Sequence, residues 1–234
     1  MMKRFLPLCL LLLPLAGISQ PSIDVEQYRF FLELNDKNDS IYGKAEIRFR
    51  WLTPAASVSF DLVQNKGEKG MKVTAVAGNG IRGFSQAEEK LSVFFNPDLV
   101  QKDTMTLTIA YKGIPANGLI ISKNKYGKRT FFGDNWPNRA HHWLPCVDDP
   151  ADKAPVDFIV TAPDHYQVIA NGLLIEETNL PGERKETYWK ETVPLPTKVM
   201  VIGVAEFAIQ YIGNAGNCIP VSSWVFPENR KEGF

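Results

Sequence analysis

Two stretches carry the fold class: Val25-Glu26-Gln27-Tyr28-Arg29-Phe30-Phe31-Leu32-Glu33-Leu34 and Ile41-Tyr42-Gly43-Lys44-Ala45-Glu46-Ile47-Arg48-Phe49-Arg50-Trp51-Leu52. Tyr28, Phe30 and Leu32 recur at every second residue. So do Ala45, Ile47, Phe49 and Trp51, with Lys44, Glu46, Arg48 and Arg50 between them. Successive Cβ atoms of a strand point to opposite sides of the pleat, so this period of two predicts strands with one buried and one wet face. The polar cluster Asn35-Asp36-Lys37-Asn38-Asp39-Ser40 lies between the runs and supplies turn chemistry, which makes the pair a hairpin.

Outward from this hairpin the same signals continue. Strands are predicted at 58–62, 71–77, 90–95 and 104–111, the last with Thr104, Thr106 and Thr108 alternating with Met105, Leu107 and Ile109. Others follow at 158–162, 167–171, 173–178, 187–192, 199–204 and 206–212. Asn171-Gly172 between two apolar runs suits a tight hairpin, because both residues tolerate positive φ. Leu180-Pro181-Gly182-Glu183 reads as a further turn. No stretch shows helical period over a useful length, and the spacing of short strands and turns predicts an all-β fold of large twisted sheets or a β-sandwich.

Composition narrows the function classes. The chain has 234 residues and an apolar fraction of 44%, which suffices for a core and excludes disorder, collagen and coiled coil. Its 26 Lys plus Arg balance 26 Asp plus Glu, so there is no long-range field to gather nucleic acid or anionic membranes. The aromatic residues are not interleaved with a basic patch either, so no nucleic-acid partner is expected.

The N-terminus reads as a targeting segment. Lys3 and Arg4 precede an apolar run from Phe5 to Leu15, and Ala16-Gly17-Ile18-Ser19 supplies small residues for cleavage. We expect a signal peptide at 1–19 and one β-rich domain at 20–234, exported to a periplasmic, secreted or extracellular location, with no membrane span after cleavage. Loss of Lys3 and Arg4 takes 26 basic residues to 24 against 26 acidic, a net charge of −2. Cys146 and Cys218 remain after cleavage; the sequence leaves open whether they pair or stay as small buried side chains.

The segment Gly133-Asp134-Asn135-Trp136-Pro137-Asn138-Arg139-Ala140-His141-His142-Trp143-Leu144-Pro145-Cys146-Val147-Asp148-Asp149-Pro150-Ala151-Asp152-Lys153 breaks the periodicity. Its prolines predict a rigid irregular connection, the kind of place where chemistry or an interface is built. His141 and His142, adjacent on an extended chain, would point to opposite sides. With His165 the only other histidine and no H-E-x-x-H or C-x-x-C pattern, no zinc site is expected within this chain. Cys146 has neither a helix N-terminus nor an orienting group to make it a nucleophile, so a structural thiol is expected. Asp148, Asp149 and Asp152 read either as a general acid and base pair or as a turn. In the turn, aspartates accept local N–H bonds, Pro150 presets the bend and Lys153 offsets charge.

From Ala140 to Ala154 the sequence resembles the A-R-x-x-F-P-C-x-D-E-P-x-x-K-A signature of the aminopeptidase N family, zinc-dependent gluzincin exopeptidases that include the leukotriene hydrolase. Further blocks follow in the family's order: Val160-Thr161-Ala162-Pro163, Ala170-Asn171-Gly172, Thr187-Tyr188-Trp189 with Pro194-Leu195-Pro196-Thr197-Lys198-Val199-Met200, and Val204-Ala205-Glu206-Phe207. Three positions depart from the signature, with His141 for Arg, Leu144 for Phe and Asp149 for Glu.

The resemblance implies a saddle-like N-terminal β domain of a secreted zinc aminopeptidase, which removes N-terminal amino acids from peptides. It implies that the domain packs on a catalytic domain of the same polypeptide and contributes to the site for the peptide's α-ammonium, next to the S1 pocket. The family's G-x-M-E-N and H-E-x-x-H motifs do not occur in this sequence. The zinc of the full-length enzyme is therefore implied to have its ligands in the catalytic domain, with the present chain a fragment that is inactive alone. An ungapped count back from Pro145-Cys146 puts Asp134 at the family's Gln or Glu and Pro137 at its proline; Asn135 takes the substrate-binding role if the register slips by one. Two alternatives remain: a secreted β-sandwich module that binds glycan or protein through Trp136 and Trp143, and a relative that has lost catalysis and serves as a scaffold.

Overall fold

The computed structural model describes residues 22–97, 104–216 and 218–234. The expected signal peptide and its cleavage site lie outside the described residues. Strands, numbered β1 to β16 in chain order, fall into four sheets among the described residues. The largest sheet has the order β12(Leu173–Leu180), β13(Arg184–Pro196), β10(Lys153–Pro163), β1(Ile23–Glu33), β2(Ile41–Trp51), β7(Thr104–Ile114), β4(Gly70–Ala77). A three-stranded sheet of β3(Ser57–Asp61), β6(Lys90–Phe95) and β5(Ile81–Ala87) covers part of it. Among the described residues, helix is confined to short 3-10 turns and to α1(Arg230–Gly233).

The predicted alternation decides which faces are buried. Tyr28, Phe30, Leu32, Ala45, Ile47 and Phe49 are buried on one side of the large sheet, joined by Leu107 and Ile109 from β7. Phe60 of β3 meets Phe49 edge-on at 6.1 Å, and Phe95 of β6 meets Trp51 at 5.4 Å, so the two sheets form a sandwich with an aromatic core. The opposite face carries ion pairs such as Arg29 with Glu46 at 3.0 Å.

One pairing has no counterpart in the sequence reading: β1 and β10 run parallel, with Tyr28 opposite Val156. Parallel neighbours need a long crossover. Here it contains β2 to β9 and the irregular segment after Gly133. A four-stranded sheet of β11(Gln167–Ala170), β14(Ile202–Ala205), β9(Arg129–Gly133) and β8(Leu119–Lys123) completes the main body. The last strands, β15(Ala208–Ala215) and β16(Ile219–Val225), pair only with each other among the described residues.

Several boundaries differ from expectation. β5, β8, β9 and β16 have no counterpart in the sequence pattern, and Thr197–Val199 forms a 3-10 turn where the pattern predicts a strand starting at 199. Gly172 takes φ +88, as a tight turn requires. A Cβ there would also collide with the Lys190 carbonyl, so only glycine fits.

Candidate functional site

Two connectors meet at one end of the molecule because both large sheets put them there. In the seven-stranded sheet, Lys153 at the start of β10 pairs with Pro196 at the end of β13. In the four-stranded sheet, Phe132 near the end of β9 pairs with Gly203 near the start of β14. The segment 134–152 links β9 to β10, and 197–201 links β13 to β14. They are therefore held side by side at both ends.

Their contact is polar and buried. Asn135, 1% exposed, donates from Nδ2 to the main-chain carbonyls of Thr197 at 3.1 Å and Met200 at 2.7 Å. Its Oδ1 accepts the indole N–H of Trp143 at 2.8 Å. Asn171, from the β11–β12 turn, donates to the carbonyl of Val199 at 3.0 Å and accepts the Val201 N–H at 2.8 Å. Two carboxamides thus satisfy a run of main-chain groups that no sheet could pair.

Asp148 ties the same connectors from the other side. Its Oδ1 accepts the Thr197 hydroxyl at 2.7 Å, and Oδ2 lies 2.5 Å from His141 Nδ1. Burial pushes the Asp148 carboxyl up, but the bonds from His141 and Thr197 outweigh it and leave the carboxyl below its ordinary value. Burial pulls His141 down, and the Asp148 bond together with Asp61 and Glu89 more than reverses this. Asp61 also accepts the Asp148 N–H at 3.0 Å and pairs with Lys90, which fastens the segment to β3.

On this framework sit the exposed side chains. Asp134 has its N–H bonded to the Gly118 carbonyl at 2.6 Å, and its half-exposed carboxylate accepts from Arg139 Nη1 at 2.8 Å. Trp136, preceding a cis bond to Pro137, is 61% exposed, with Lys198 Nζ 4.7 Å from its ring centre. The surface therefore offers a carboxylate partly neutralised by a guanidinium, beside an indole and an ammonium.

The expected residues sort unequally. Asp134 faces solvent and can meet a ligand. Asn135, the fallback, is sealed, and its carboxamide is committed to Thr197, Met200 and Trp143. Trp143 is fully buried against Phe158, so the pairing of Trp136 and Trp143 as a contact platform is corrected to Trp136 alone. His141 and His142 do not diverge as expected. They lie in a 3-10 turn, Ala140–His142, with ring centres 4.7 Å apart. Of the three aspartates, Asp149 makes the expected local turn, accepting the Ala151 N–H at 2.8 Å, while Asp148 reaches far along the chain instead.

Cys146 is buried and free. Burial pushes its thiol well up, with Asp148 and Asp61 adding to the effect, which disfavours the thiolate. Cys218 is free and exposed. Among the described residues, no three His, Cys, Asp or Glu side chains are grouped to hold a metal ion.

Residues 24–199 match the family described as the peptidase M1 N-terminal domain, and the chain belongs to that family. Among curated proteins it is similar to the glutamyl aminopeptidase of Rattus norvegicus, 25% identical over 154 residues, which are 62% of this chain and 15% of that protein. It is also similar to leucine aminopeptidase 2 of Neurospora crassa, 33% identical over 75 residues, or 32% of this chain and 11% of that one. The fold matches an M1 zinc metallopeptidase from Deinococcus radiodurans with a TM-score of 0.71 and 24% identity, covering 87% of this chain and 47% of the other. An E323A mutant of that enzyme bound to a Tyr-Ser-Ala substrate gives a TM-score of 0.70 at 22% identity, covering 87% and 46%. The chain thus spans less than half of the solved structures it resembles and a smaller share of the curated relatives.

Proposed function

We propose that this domain is the N-terminal part of an exported zinc aminopeptidase, that it packs on a catalytic domain of the same polypeptide, and that Asp134 helps to hold the α-ammonium of a peptide substrate. The observation that carries the reading is the placement of Asp134. It is a half-exposed carboxylate on a loop whose neighbours Asn135 and Trp143 are locked into the interior. A carboxylate so fixed meets a substrate cation with little reorganisation, and a charge-assisted hydrogen bond to an ammonium is among the stronger polar contacts.

Arg139 tunes this group. By occupying Oδ2 it holds the Asp134 side chain in place, while the remaining oxygen stays available. Binding the free amine in this way would restrict cleavage to the N-terminal residue. Zinc supplies Lewis-acid chemistry in such enzymes, and we assign its ligands to the catalytic domain.

The test is hydrolysis of amino-acid arylamides by the full-length gene product before and after chelation. Activity that is lost on chelation and restored by zinc supports the reading. A full-length protein that neither contains zinc nor cleaves such substrates would overturn it in favour of a scaffold.

A further inference from the structure

Exposure alternates along the start of the loop. The Asp134 carboxylate is half-exposed, Asn135 is sealed, and Trp136 stands out at 61% exposed. The inward turn of Asn135 therefore leaves its two neighbours on the solvent side of the chain. Two residues of backbone span at most about 7 Å, so the indole is rooted close beside the carboxylate.

The adjoining connector fixes what lies against that indole. Lys198 Nζ is 4.7 Å from the ring centre. The backbone on either side of Lys198 is pinned: Asn135 donates to the carbonyls of Thr197 and Met200, and the Thr197 hydroxyl donates to Asp148 at 2.7 Å. One buried residue, Asn135, thus sets the root of the indole and the root of the ammonium together. With the ammonium against the ring and most of the residue still exposed, a large part of the indole is free for an apolar partner. Charge is also unequal around it. Arg139 and Lys198 bring two cations against the single Asp134 carboxylate.

The geometry points to Trp136 as a specificity-determining residue: its indole packs on the side chain of the peptide's N-terminal residue and selects aromatic and large aliphatic side chains over alanine, while Lys198 disfavours lysine and arginine. This rests on the reading of Asp134 as the group that holds the α-ammonium. The ammonium and the side chain leave the same Cα, so a substrate held at Asp134 carries its side chain to the neighbouring indole. The carboxylate is then matched by the substrate's own cation, and a second cation on the side chain meets Lys198 and Arg139 without an opposing charge.

The test is kcat/KM of the full-length gene product for phenylalanine, alanine and arginine arylamides. Trp136→Ala is expected to lower the phenylalanine-to-alanine ratio by about tenfold, and Trp136→Phe to keep most of it. A ratio is read because a displaced loop would lower both substrates alike. Lys198→Gln should raise the arginine-to-alanine ratio by about two- to fivefold. A phenylalanine-to-alanine ratio untouched by Trp136→Ala overturns the role of the indole, and an arginine-to-alanine ratio untouched by Lys198→Gln overturns the charge selection. Calorimetric titration with phenylalaninamide and alaninamide separates this inference from the peptidase reading. Zinc-dependent hydrolysis with an unchanged ratio defeats the inference alone. A protein without hydrolysis that binds phenylalaninamide the more tightly, and loses that preference in Trp136→Ala, supports the inference and defeats the peptidase reading; equal binding of the two amides defeats both.

Discussion

The indole N–H of Trp143 donates to Oδ1 of Asn135 at 2.8 Å, with both side chains sealed from solvent. Asn135 uses its two N–H donors on Thr197 and Met200, so one residue satisfies three partners. Each buried polar group left unmet costs about 1–3 kcal/mol. Asn135→Ala is expected to destabilise the domain by about 3 kcal/mol, and Asn135→Asp to be nearly as harmful, because a carboxylate cannot donate. Urea unfolding followed by tryptophan fluorescence measures both.

His141 and Asp148 set a pH dependence. The histidine is raised overall, so its stabilisation is complete below the unfolded pKa of about 6.5 and is lost as pH rises through the folded value. Asp148 is lowered overall, so its stabilisation is present above about pH 4 and is lost as pH falls through the folded value. The pair therefore contributes most between about pH 4 and 6.5. His141→Gln should cost more stability at pH 5.5 than at pH 8.5, by about 1 kcal/mol, in paired denaturation series.

Asp152 acts with the opposite sign for a carboxylate. Burial, aided by Asp24 and Asp149, pushes it up to about 6, against one long bond from the Val25 N–H at 3.5 Å. Its Oδ1 has no hydrogen-bond partner. The stability linked to this group is present below the unfolded pKa of about 4 and is lost as pH rises through about 6. Asp152→Asn should therefore raise the unfolding midpoint at pH 8 and leave it nearly unchanged at pH 4. The gain should be about 1 kcal/mol, because the partly exposed group is screened.

Gly118 supports the site from below. It takes φ +75, and a Cβ there would collide with the Arg139 carbonyl and press on Trp143. Its own carbonyl accepts the Asp134 N–H at 2.6 Å. Gly118→Ala is expected to cost about 2 kcal/mol or more and to shift the loop that carries Asp134 and Arg139. Thermal unfolding and the tryptophan emission of Trp143 report the two effects.

Much of the sandwich was legible because its strands have one wet face. Tyr28, Phe30 and Leu32, or Ile47 and Phe49, announce a buried side by alternation alone. β8 and β9 escaped because Leu119-Ile120-Ile121 and Phe131-Phe132 do not alternate, and β16 because Pro220 and two serines blur the pattern. The loop itself was legible from its prolines and the family signature. What could not be read locally was the destination of its polar side chains. Asn135 and Asp148 find partners at Thr197 and Met200, roughly fifty or more residues along, and only the pairing of β10 with β13 and of β9 with β14 brings those segments together. A polar residue beside an exposed one looks the same in sequence whether it turns inward or outward, so the inward turn of Asn135 next to Asp134 could not be read from the sequence.

The central claim, that Asp134 serves a ligand while its neighbours serve the fold, is tested most directly by Asp134→Ala in the full-length gene product. With free-amine arylamide substrates, kcat/KM should fall about ten- to a hundredfold, the loss of a charge-assisted bond worth roughly 1.5–3 kcal/mol. Unfolding of the domain should be unchanged, and N-acetylated substrates, which lack the cation, should not distinguish the variant from the wild type. Undiminished kcat/KM for free-amine substrates, or an equal loss for the acetylated ones, would contradict the account.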